Sequence, residues 1–427
     1  MKKHYSVIIV GGGQAGLAIS YCLKKKSIDH LVLEKHFIGY SWQQKRWDTF
    51  CLVTPNWQCT LPGYHYSGDD PEGFMGRDAI VAYIKDYAQS FNPPMEEGVE
   101  VFSVRKNQTQ GLFELDTSLG SYTADRVVIA TGSYHRAKIP RMAEKFASNI
   151  VQIHSADYKN PEALPPGEVL VVGSGQSGCQ IAEDLHLAKR RVHLCVGGAP
   201  RSPRRYRGKD VVDWLDRLGY YDLTVDNHPD RENVRQKTNH YVTGRGGGRE
   251  IDLRTFATQG MQLYGSLNDI DGEKLKFKPN LKHNLDRADE VAESIKGTID
   301  EYIDRHNINA TIEPSYNPVW QPETETTELN YHQSNITSVI WCIGYKTDFS
   351  WVNVPVFDGL GYPSHDRGVT SVNGLYFLGL PWLYTWGSGR FSGIARDAEY
   401  LAEYIANNTK YAYPGTLLAV NEAAIGS

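Results

Sequence analysis

Two glycine-rich turns with the same spacing are the part of the chain best suited to chemistry. Each turn follows four apolar residues, VIIV in the first case and VLVV in the second, and runs into a stretch of helical pattern. The first glycine of such a pattern permits a tight turn, the second lets the backbone approach a pyrophosphate, and the third lets helix and strand pack closely. The pyrophosphate accepts hydrogen bonds from free N–H groups at the positive end of the helix dipole. The residues predicted to bind a dinucleotide in this way are Gly11, Gly13, Gln14, Ala15 and Gly16 in the first turn and Gly173, Gly175, Gln176, Ser177 and Gly178 in the second.

The residues beyond the second strand of each unit differ. Glu34 ends that strand in the first unit, where a carboxylate accepts hydrogen bonds from a ribose diol. The matching position in the second unit is Val196, so no carboxylate would repel a 2′-phosphate there. Three arginines follow and are suited to binding that phosphate, namely Arg201, Arg204 and Arg205. These flanks predict FAD or NAD at the first turn and NADPH at the second, and a solvated basic loop is the alternative interpretation of the arginines.

The position of the second turn in mid-chain predicts the domain organisation. We expect an α/β fold with two dinucleotide-binding, Rossmann-like domains, in which the NADPH domain is inserted into a split FAD domain. The proline-rich stretch NPEALPPGE marks the first boundary, and EPSYNPVWQPETETTEL marks the second. The predicted domains are residues 1–159 for the first part of the FAD domain, 160–315 for the NADPH domain with a helical insertion at about 205–305, and 316–427 for the second part of the FAD domain.

Two further segments have the periodicity of amphipathic helices. Residues 78–91 place Ile80, Ile84, Tyr87 and Phe91 on one face. In residues 289–303, apolar side chains also recur at helical spacing. Both patterns predict helices that pack one side against a core.

Composition restricts the classes of function. The net charge of −5 is spread over both signs, which gives no indication of a nucleic-acid partner. No apolar run reaches the roughly 18 residues of a membrane span, and the N-terminus has no signal-peptide pattern. The six cysteines form no C-x-x-C pair, which argues against a zinc ribbon and a flavin–disulfide reductase. We therefore expect reduced, structural cysteines, a cytoplasmic protein and no metal site.

Several motifs together resemble the class B flavin-dependent monooxygenases, which include the flavin-containing, Baeyer–Villiger and plant YUCCA-type enzymes. The chain is most similar to the bacterial CzcO-like flavoproteins, with which it shares TGRGGGREIDLR and LPWL, and within them to flavoproteins encoded beside nitrilases. The motifs that carry the resemblance over nearly the whole chain are GGGQAG with Glu34 and Lys35, GYSW (39–42), RWDTFCLVTP (46–55), IATG (129–132), GSGQSG, IWCIGY (340–345), GLYFLG (374–379) and GIARDA (393–398).

The resemblance implies roles for residues outside the two turns. Glu34 and Lys35 would lie at the adenosine ribose of FAD, and Trp42 would cover the flavin. The last helix would point its N-terminus at the flavin, where its dipole stabilises negative charge on the reduced ring. Packing and ordinary helix capping are the alternatives for Trp42 and Asp397. The remaining cofactor contacts implied by the motifs are Ala130, Thr131, Gly132, Gly379, Gly393, Ile394 and Asp397.

Two positions depart from the pattern of the resembled family. The linker motif F-x-G-x-x-x-H-x-x-x-[WY] keeps only its second half here, as His154 and Tyr158, which puts oxygenation in doubt more than FAD binding. A solvated linker histidine is the alternative interpretation. Asn56 follows Thr54-Pro55 near the place of an asparagine that assists catalysis in the family. We assign Asn56 as the candidate catalytic residue, with a turn-forming asparagine as the alternative.

The combined prediction is an FAD-containing, NADPH-dependent oxidoreductase. The resemblance implies a monooxygenase that acts through a C4a-(hydro)peroxyflavin, with the difficult chemistry supplied by the cofactors. Aromatic residues around WLYTW predict a small apolar or aromatic substrate, besides molecular oxygen. An FAD-dependent dehydrogenase or oxidase is one alternative, and a non-catalytic redox sensor or complex partner is another. The sequence leaves a homo-oligomer open, and it indicates neither a nucleic acid nor a membrane as partner.

Overall fold

The computed structural model describes residues 4–409. Residues 1–3 and 410–427, which the domain prediction assigned to the two ends of the FAD domain, lie outside the described residues. The described chain forms two α/β units, each around its own sheet with a parallel strand–turn–helix–strand motif. The predicted fold class is therefore confirmed.

The first sheet belongs to the unit that carries the first glycine turn. Strand β1 lies between β2 and β8 and is parallel to both. From one edge to the other, the order is β21 (Val352–Asn353), β6 (Val101–Lys106), β7 (Phe113–Thr117), β8, β1, β2 and β5 (Met95–Glu97), and β24 (Leu375–Phe377) runs parallel beside β8. The elements before the chain leaves this unit are β1 (His4–Val10), α1 (Gln14–Lys25), β2 (His30–Glu34), α2 (Tyr40–Gln44), β3 (Thr60–Leu61), β4 (Tyr64–His65), α3 (Arg77–Phe91), β5 (Met95–Glu97), β6 (Val101–Lys106), β7 (Phe113–Thr117), β8 (Gly120–Ile129) and β9 (Arg136–Ala137).

The second sheet is parallel throughout, with the order β10-β19-β11-β12-β15. Its central strand β11 is apolar and buried on both faces, as expected for a parallel sheet covered on both sides. The elements of this unit are β10 (Val151–His154), β11 (Glu168–Val172), α4 (Gln176–Leu187), β12 (Val192–Cys195), β13 (Arg205–Tyr206), β14 (Lys209–Asp210), α5 (Val211–Arg217), the helical turn α6 (Arg245–Gly248), α7 (Leu253–Thr258), β15 (Gln262–Tyr264), β16 (Leu267–Asp271), β17 (Lys274–Phe277), α8 (Leu281–His306), β18 (Glu328–Asn330) and β19 (Ile336–Trp341).

The chain then returns to the first unit. The last strand of this part, β24, joins the first sheet at β8, and the final helix packs against α1. The returning elements are β20 (Tyr345–Lys346), β21 (Val352–Asn353), β22 (His365–Asp366), β23 (Val369–Thr370), β24 (Leu375–Phe377) and α9 (Ile394–Thr409).

The sheets correct the predicted domain boundaries. Strands β10 and β19 both belong to the second sheet, where β19 pairs with β10 on one side and β11 on the other. The inserted unit therefore runs from about residue 151 to 341 rather than from 160 to 315, and the proline-rich stretch is a loop inside it. The predicted helical insertion at 205–305 also contains strands β13 to β17. An apolar strand sequence shows that a strand is buried but not which of two sheets it joins.

The two crossings between the units lie side by side. Strand β9 on the outward crossing pairs antiparallel with β20 on the return, through Tyr345 with Ala137 and Lys346 with Arg136. A double crossover of this kind connects the units through two adjacent segments of chain.

The two predicted amphipathic helices are present. In α3, the side chains of Ile80, Ile84 and Tyr87 are fully buried, as their spacing predicts, whereas Phe91 at the end of the helix is half-buried. Helix α8 covers the predicted 289–303 but begins earlier, at Leu281. The prediction missed the first two turns because they are mostly polar and show little apolar periodicity.

Candidate functional site

The first glycine turn has the geometry of a dinucleotide cradle. Gly11 has a φ of +106°, and a Cβ there would lie 2.7 Å from the carbonyl oxygen of Ala130. A Cβ on Gly16 would overlap the carbonyl oxygen of Gly11, so α1 packs directly onto the turn. A Cβ on Gly13 would meet no atom within 4 Å. The backbone is therefore closed behind the turn and open in front of it, where a pyrophosphate would lie.

The N-terminus of α1 has free N–H groups that can bind an anion. Gly13 is its N-cap residue, no side chain caps it, and no acidic residue lies in its first turn. The first N–H groups of a helix have no partners within it, so they remain available to phosphate oxygens. The side chain of Gln14 connects α1 to two other segments of the chain. Its Nε2 donates to the Gly389 carbonyl (3.3 Å), and its Oε1 accepts from Trp42 Nε1 (3.4 Å).

Glu34 lies at the edge of the same turn. Its Oε2 accepts a hydrogen bond from the Gly12 amide at 2.6 Å, and its Oε1 accepts one from the His36 amide at 2.9 Å. This position fits the predicted ribose contact. The adjacent Lys35 instead forms an exposed ion pair with Glu100 at 2.6 Å, so its predicted cofactor contact has no support in the structure.

The ATG segment lies behind the turn. The Ala130 amide donates to the Val10 carbonyl at 2.8 Å and so extends the strand pairing. Thr131 Oγ1 lies 3.4 Å from His135 Nε2, and Gly132 has a φ of +72°. These residues form the wall opposite α1.

The returning chain supplies the third wall. A Cβ on Gly379 would lie 2.6 Å from the Ala15 Cβ, which brings this residue against the first turn of α1. Gly393 packs on Gly387, and Ile394 at the start of α9 is fully buried. Asp397 is buried too, with its Oδ1 3.7 Å from Arg367 Nε. Asp397 is therefore an interior residue, and its burial raises the pKa of its carboxyl group.

The second turn repeats the backbone geometry of the first. Gly173 has a φ of +104°, and a Cβ there would lie 2.7 Å from the Cys342 carbonyl oxygen, which occupies the place of the Ala130 oxygen at the first turn. A Cβ on Gly178 would overlap the Gly173 carbonyl oxygen. Helix α4 likewise begins with a glycine N-cap, Gly175, and without a side-chain cap.

Side chains of the second unit itself surround this turn. The nearest atom to a Cβ on Gly175 is Thr238 Cγ2 at 3.8 Å. Gln176 Nε2 donates to the Val242 carbonyl, and Ser177 lies half-buried in the first turn of α4. At the end of β12, Val196 is buried and a Cβ on Gly197 would meet no atom within 4 Å. No carboxylate replaces Glu34 here.

Two of the predicted phosphate-binding arginines have another role. Arg201 is 3% exposed, and its Nη2 lies 3.0 Å from Asp289 Oδ1. Arg204 is 1% exposed, pairs with Asp210 and donates to the Val53 carbonyl at 2.7 Å. Both guanidinium groups are thus held in the interior by acidic residues, Arg201 by the distant Asp289 and Arg204 by Asp210 across the β13–β14 hairpin.

Arg205 alone of the three remains exposed, with a 3.3 Å hydrogen bond from its Nη2 to the Gly247 carbonyl. The expectation that all three arginines bind a 2′-phosphate is therefore wrong for Arg201 and Arg204. The solvated-loop alternative fits neither of these two, because both are buried in ion pairs.

Asn56 holds a loop in place. It is buried, its Nδ2 donates to the Asp70 carbonyl (2.9 Å), and its Oδ1 accepts from the Met75 amide (2.7 Å). Both ends of the amide are used within residues 56–75. The predicted catalytic role has no support in this geometry, and a structural role like the turn-forming alternative fits better.

The surviving half of the linker motif is structural as well. His154 is buried, its Nε2 lies 3.1 Å from the Gly344 carbonyl, and its Nδ1 accepts from the Ala156 amide at 3.2 Å. Burial lowers the pKa of His154, so the ring is neutral near pH 7. The alternative of a solvated histidine is wrong, since this ring ties β10 to the return crossing.

A buried carboxylate that the sequence analysis missed joins the two units. Asp184 in α4 accepts hydrogen bonds from Tyr158 Oη and Thr49 Oγ1, both at 2.7 Å. Arg245 Nη1 pairs with the same carboxylate. The signal in the sequence was the pair of acidic residues in IAEDL, on a helix that otherwise faces a core.

The cysteines do not form a redox centre. All six are free and buried. Burial raises the pKa of Cys51 to about 11 and that of Cys59 to about 12, so both thiols stay protonated. A protonated buried thiol is a poor nucleophile.

Comparison with known proteins agrees with this geometry. Residues 8–258 match the family model described as pyridine nucleotide-disulphide oxidoreductase. The CzcO-like oxidoreductase of Geobacillus kaustophilus (strain HTA426) is 34% identical over 411 residues, which cover 96% of this chain and 100% of that protein. The indole-3-pyruvate monooxygenase YUCCA6 of Arabidopsis thaliana is 33% identical over 186 residues, 42% of this chain and 44% of that protein.

The fold is also that of a solved flavoprotein. The flavin-containing monooxygenase from Stenotrophomonas maltophilia superposes with a TM-score of 0.65 at 18% identity, covering 95% of this chain and 99% of that one. Within residues 4–409, no helix combines the length and the apolar character needed to cross a membrane.

Proposed function

The chain belongs to the pyridine nucleotide-disulphide oxidoreductase family and, within it, to the CzcO-like flavin-dependent oxidoreductases, and from this premise we propose that it is an NADPH-dependent FAD monooxygenase. It transfers one oxygen atom of O₂ to a small apolar or aromatic substrate. The observation that carries the proposal is the pair of glycine cradles with one backbone geometry and different flanks.

The first cradle fits FAD. Gly13 leaves open space before an uncapped helix N-terminus, and the Glu34 carboxylate lies at its edge for a ribose diol. Trp42 stacks on Phe391 with ring centroids 5.6 Å apart, next to this cradle, and the pair excludes water from one side of the cofactor site. FAD bound here supplies hydride acceptance and oxygen activation.

The second cradle fits a nicotinamide dinucleotide. Its uncapped helix α4 and the open space at Gly197 support binding of NADPH, since no carboxylate opposes a 2′-phosphate there. The support from the arginines is reduced to the exposed Arg205. The hydrogen bond from Thr49 in the first unit to Asp184 in the second holds the two units together, and Tyr158 binds the same carboxylate from within the second unit.

The cysteines favour oxygen chemistry over disulfide chemistry within this family. A disulfide reductase needs an accessible thiol pair, whereas these six thiols are free, buried and without a C-x-x-C pair. Aromatic side chains cluster beside Arg390, among them Trp386 and Tyr221 with ring centroids 4.8 Å apart. Such a cluster supports an aromatic substrate.

The test uses the purified holoenzyme. The bound flavin is identified first, and its reduction by NADPH and by NADH is followed anaerobically. We expect faster reduction by NADPH, followed by incorporation of one atom from ¹⁸O₂ into a small aromatic substrate. Substrate oxidation without the label would identify the dehydrogenase or oxidase alternative. Failure of both nicotinamides to reduce the flavin would favour the non-catalytic alternative.

A further inference from the structure

Two partly buried arginines between the glycine turns lack a carboxylate partner. Arg390 donates from Nη1 to the Trp386 carbonyl and from Nη2 to Asn239 Oδ1 at 3.1 Å. Arg46 donates from Nη1 to the carbonyl of its neighbour Lys45 at 2.8 Å. Within residues 4–409, neither guanidinium group forms an ion pair with a carboxylate. Burial lowers the pKa of each arginine, which reflects the cost of holding a charge away from water.

Arg390 lies between the two glycine turns. The carbonyl of the preceding residue, Gly389, accepts a hydrogen bond from Gln14 in the first turn. Its partner Asn239 follows Thr238, which is the nearest residue to Gly175 in the second turn. Arg390 therefore connects the edges of both turns, and the reacting ends of two bound cofactors would meet between them.

Arg46 faces the same space from another wall. Its guanidinium carbon lies 5.1 Å from the ring centre of Trp42, which stacks on Phe391, the residue after Arg390. Tyr134 lies near both guanidinium groups. Two separate segments of chain thus bring positive charge to one place.

Among the four arginines buried deepest within residues 4–409, three have an acidic partner, whereas Arg126 donates to the Asn408 carbonyl at 3.3 Å. Arg201, Arg204 and Arg254 are held in the interior by carboxylates of the chain itself. A partly desolvated guanidinium without an anion is costly, and its planar fork matches an oxyanion. The missing anion at Arg46 and Arg390 is therefore expected to come from a ligand.

We propose that Arg46 and Arg390 bind the carboxylate of the substrate, so that the substrate is a small aromatic carboxylic acid. This inference rests on the proposed function and specifies its substrate. Rings around the two charges suit the aromatic part, since the Arg390 guanidinium lies 4.0 Å from the ring centre of Trp386 and Tyr134 packs on Tyr345 at 5.2 Å. The pyrophosphates have their own donors at the two helix N-termini, which leaves these arginines for another anion.

The test measures binding to the oxidised holoenzyme through the absorbance spectrum of its flavin, with phenylacetate as probe and phenylacetamide as its uncharged counterpart. We expect saturable perturbation by phenylacetate and at least about tenfold weaker binding of phenylacetamide. Arg46→Gln and Arg390→Gln should each raise the Kd of phenylacetate at least about tenfold, and Arg390→Lys should restore part of the loss. The matched control is Arg287→Gln, an exposed arginine on α8, which should leave this Kd unchanged.

FAD content and the Kd of NADP⁺ are measured in the same variants. We expect the Kd of NADP⁺ to change less than about threefold and FAD to be retained. Loss of NADP⁺ affinity without loss of phenylacetate affinity would assign the anion to a dinucleotide phosphate and overturn the proposal. Loss of FAD would do the same for a flavin phosphate, and equal binding of acid and amide would exclude a carboxylate site.

The two proposals fail in different ways. If the wild-type enzyme binds phenylacetate through both arginines but no substrate takes up ¹⁸O, oxygenation is wrong and the carboxylate site stands. If ¹⁸O enters a substrate while phenylacetate does not bind, the carboxylate site is wrong and oxygenation stands.

Discussion

The two glycine turns share a backbone and differ in what surrounds it. In both, a Cβ on the third glycine would overlap the carbonyl oxygen of the first, and the helix begins without a side-chain cap. The first turn is bordered by Glu34 and by a segment that returns from residues 379–389. The second is bordered by its own unit, through Thr238 and Val242.

We infer that each turn is suited to a dinucleotide and that its flanks decide which dinucleotide binds. The steric demands of bringing backbone to a pyrophosphate are the same for any dinucleotide. The carboxylate at Glu34, the open backbone at Gly197 and the returning segment are features of one site each. Four sets of variants test this separation.

The largest effect is expected at the third glycine. Gly16→Ala and Gly178→Ala each place a Cβ onto a backbone carbonyl that cannot move without separating helix from strand. We expect each to destabilise its unit by more than about 4 kcal/mol or to prevent soluble expression. Urea unfolding followed by circular dichroism measures this. A mild effect at Gly178 together with a severe one at Gly16 would show that the turns are not equivalent.

The next effect concerns the arginines beyond the second turn. Arg204→Ala removes the partner of the buried Asp210 and should cost about 3 kcal/mol or more in the free energy of unfolding. Arg205→Ala removes an exposed side chain and should change it by less than about 0.5 kcal/mol. If Arg204→Ala instead leaves the free energy of unfolding unchanged and raises the KM for NADPH but not for NADH, that result would assign Arg204 to binding the 2′-phosphate.

The second glycine of each turn should affect binding more than folding. Gly13→Ala and Gly175→Ala add a methyl group that meets no atom within 4 Å and one atom at 3.8 Å, respectively. We expect both variants to fold. Gly13→Ala should lose FAD affinity by about tenfold or more, and Gly175→Ala should weaken the nicotinamide dinucleotide to a similar extent. Flavin release and NADP⁺ titration are the measurements, and the reverse assignment would exchange the two cofactor sites.

The smallest effect is expected from a negative charge added beside the second turn. Gly197→Asp introduces a carboxylate at the end of β12, where its side chain has room. It should raise the KM for NADPH by about tenfold and that for NADH by less, since the new charge repels only the 2′-phosphate. Gly197→Asn is the uncharged control. An equal rise for both cofactors would mean that the 2′-position does not lie at Gly197.

Part of the fold and site could be predicted because it depends on local rules. The turns follow from glycine sterics, and the buried face of α3 follows from the spacing of Ile80, Ile84 and Tyr87. The boundaries at 160 and 315 failed because β10 and β19 find their sheet through long-range pairing. Asp184 was overlooked for a similar reason, since its partners Thr49 and Tyr158 lie far from it in the sequence.

The sequence by itself determined two dinucleotide turns, the carboxylate after one of them and the absence of a cysteine pair. These features are local, because each is set by sterics or residue type within a few positions. Only the tertiary structure decided that Arg201 and Arg204 are held by buried carboxylates, whereas Arg46 and Arg390 are left without one. The sequence shows that an arginine carries a positive charge. The group that neutralises this charge depends on which residues the fold brings within a few ångströms of it.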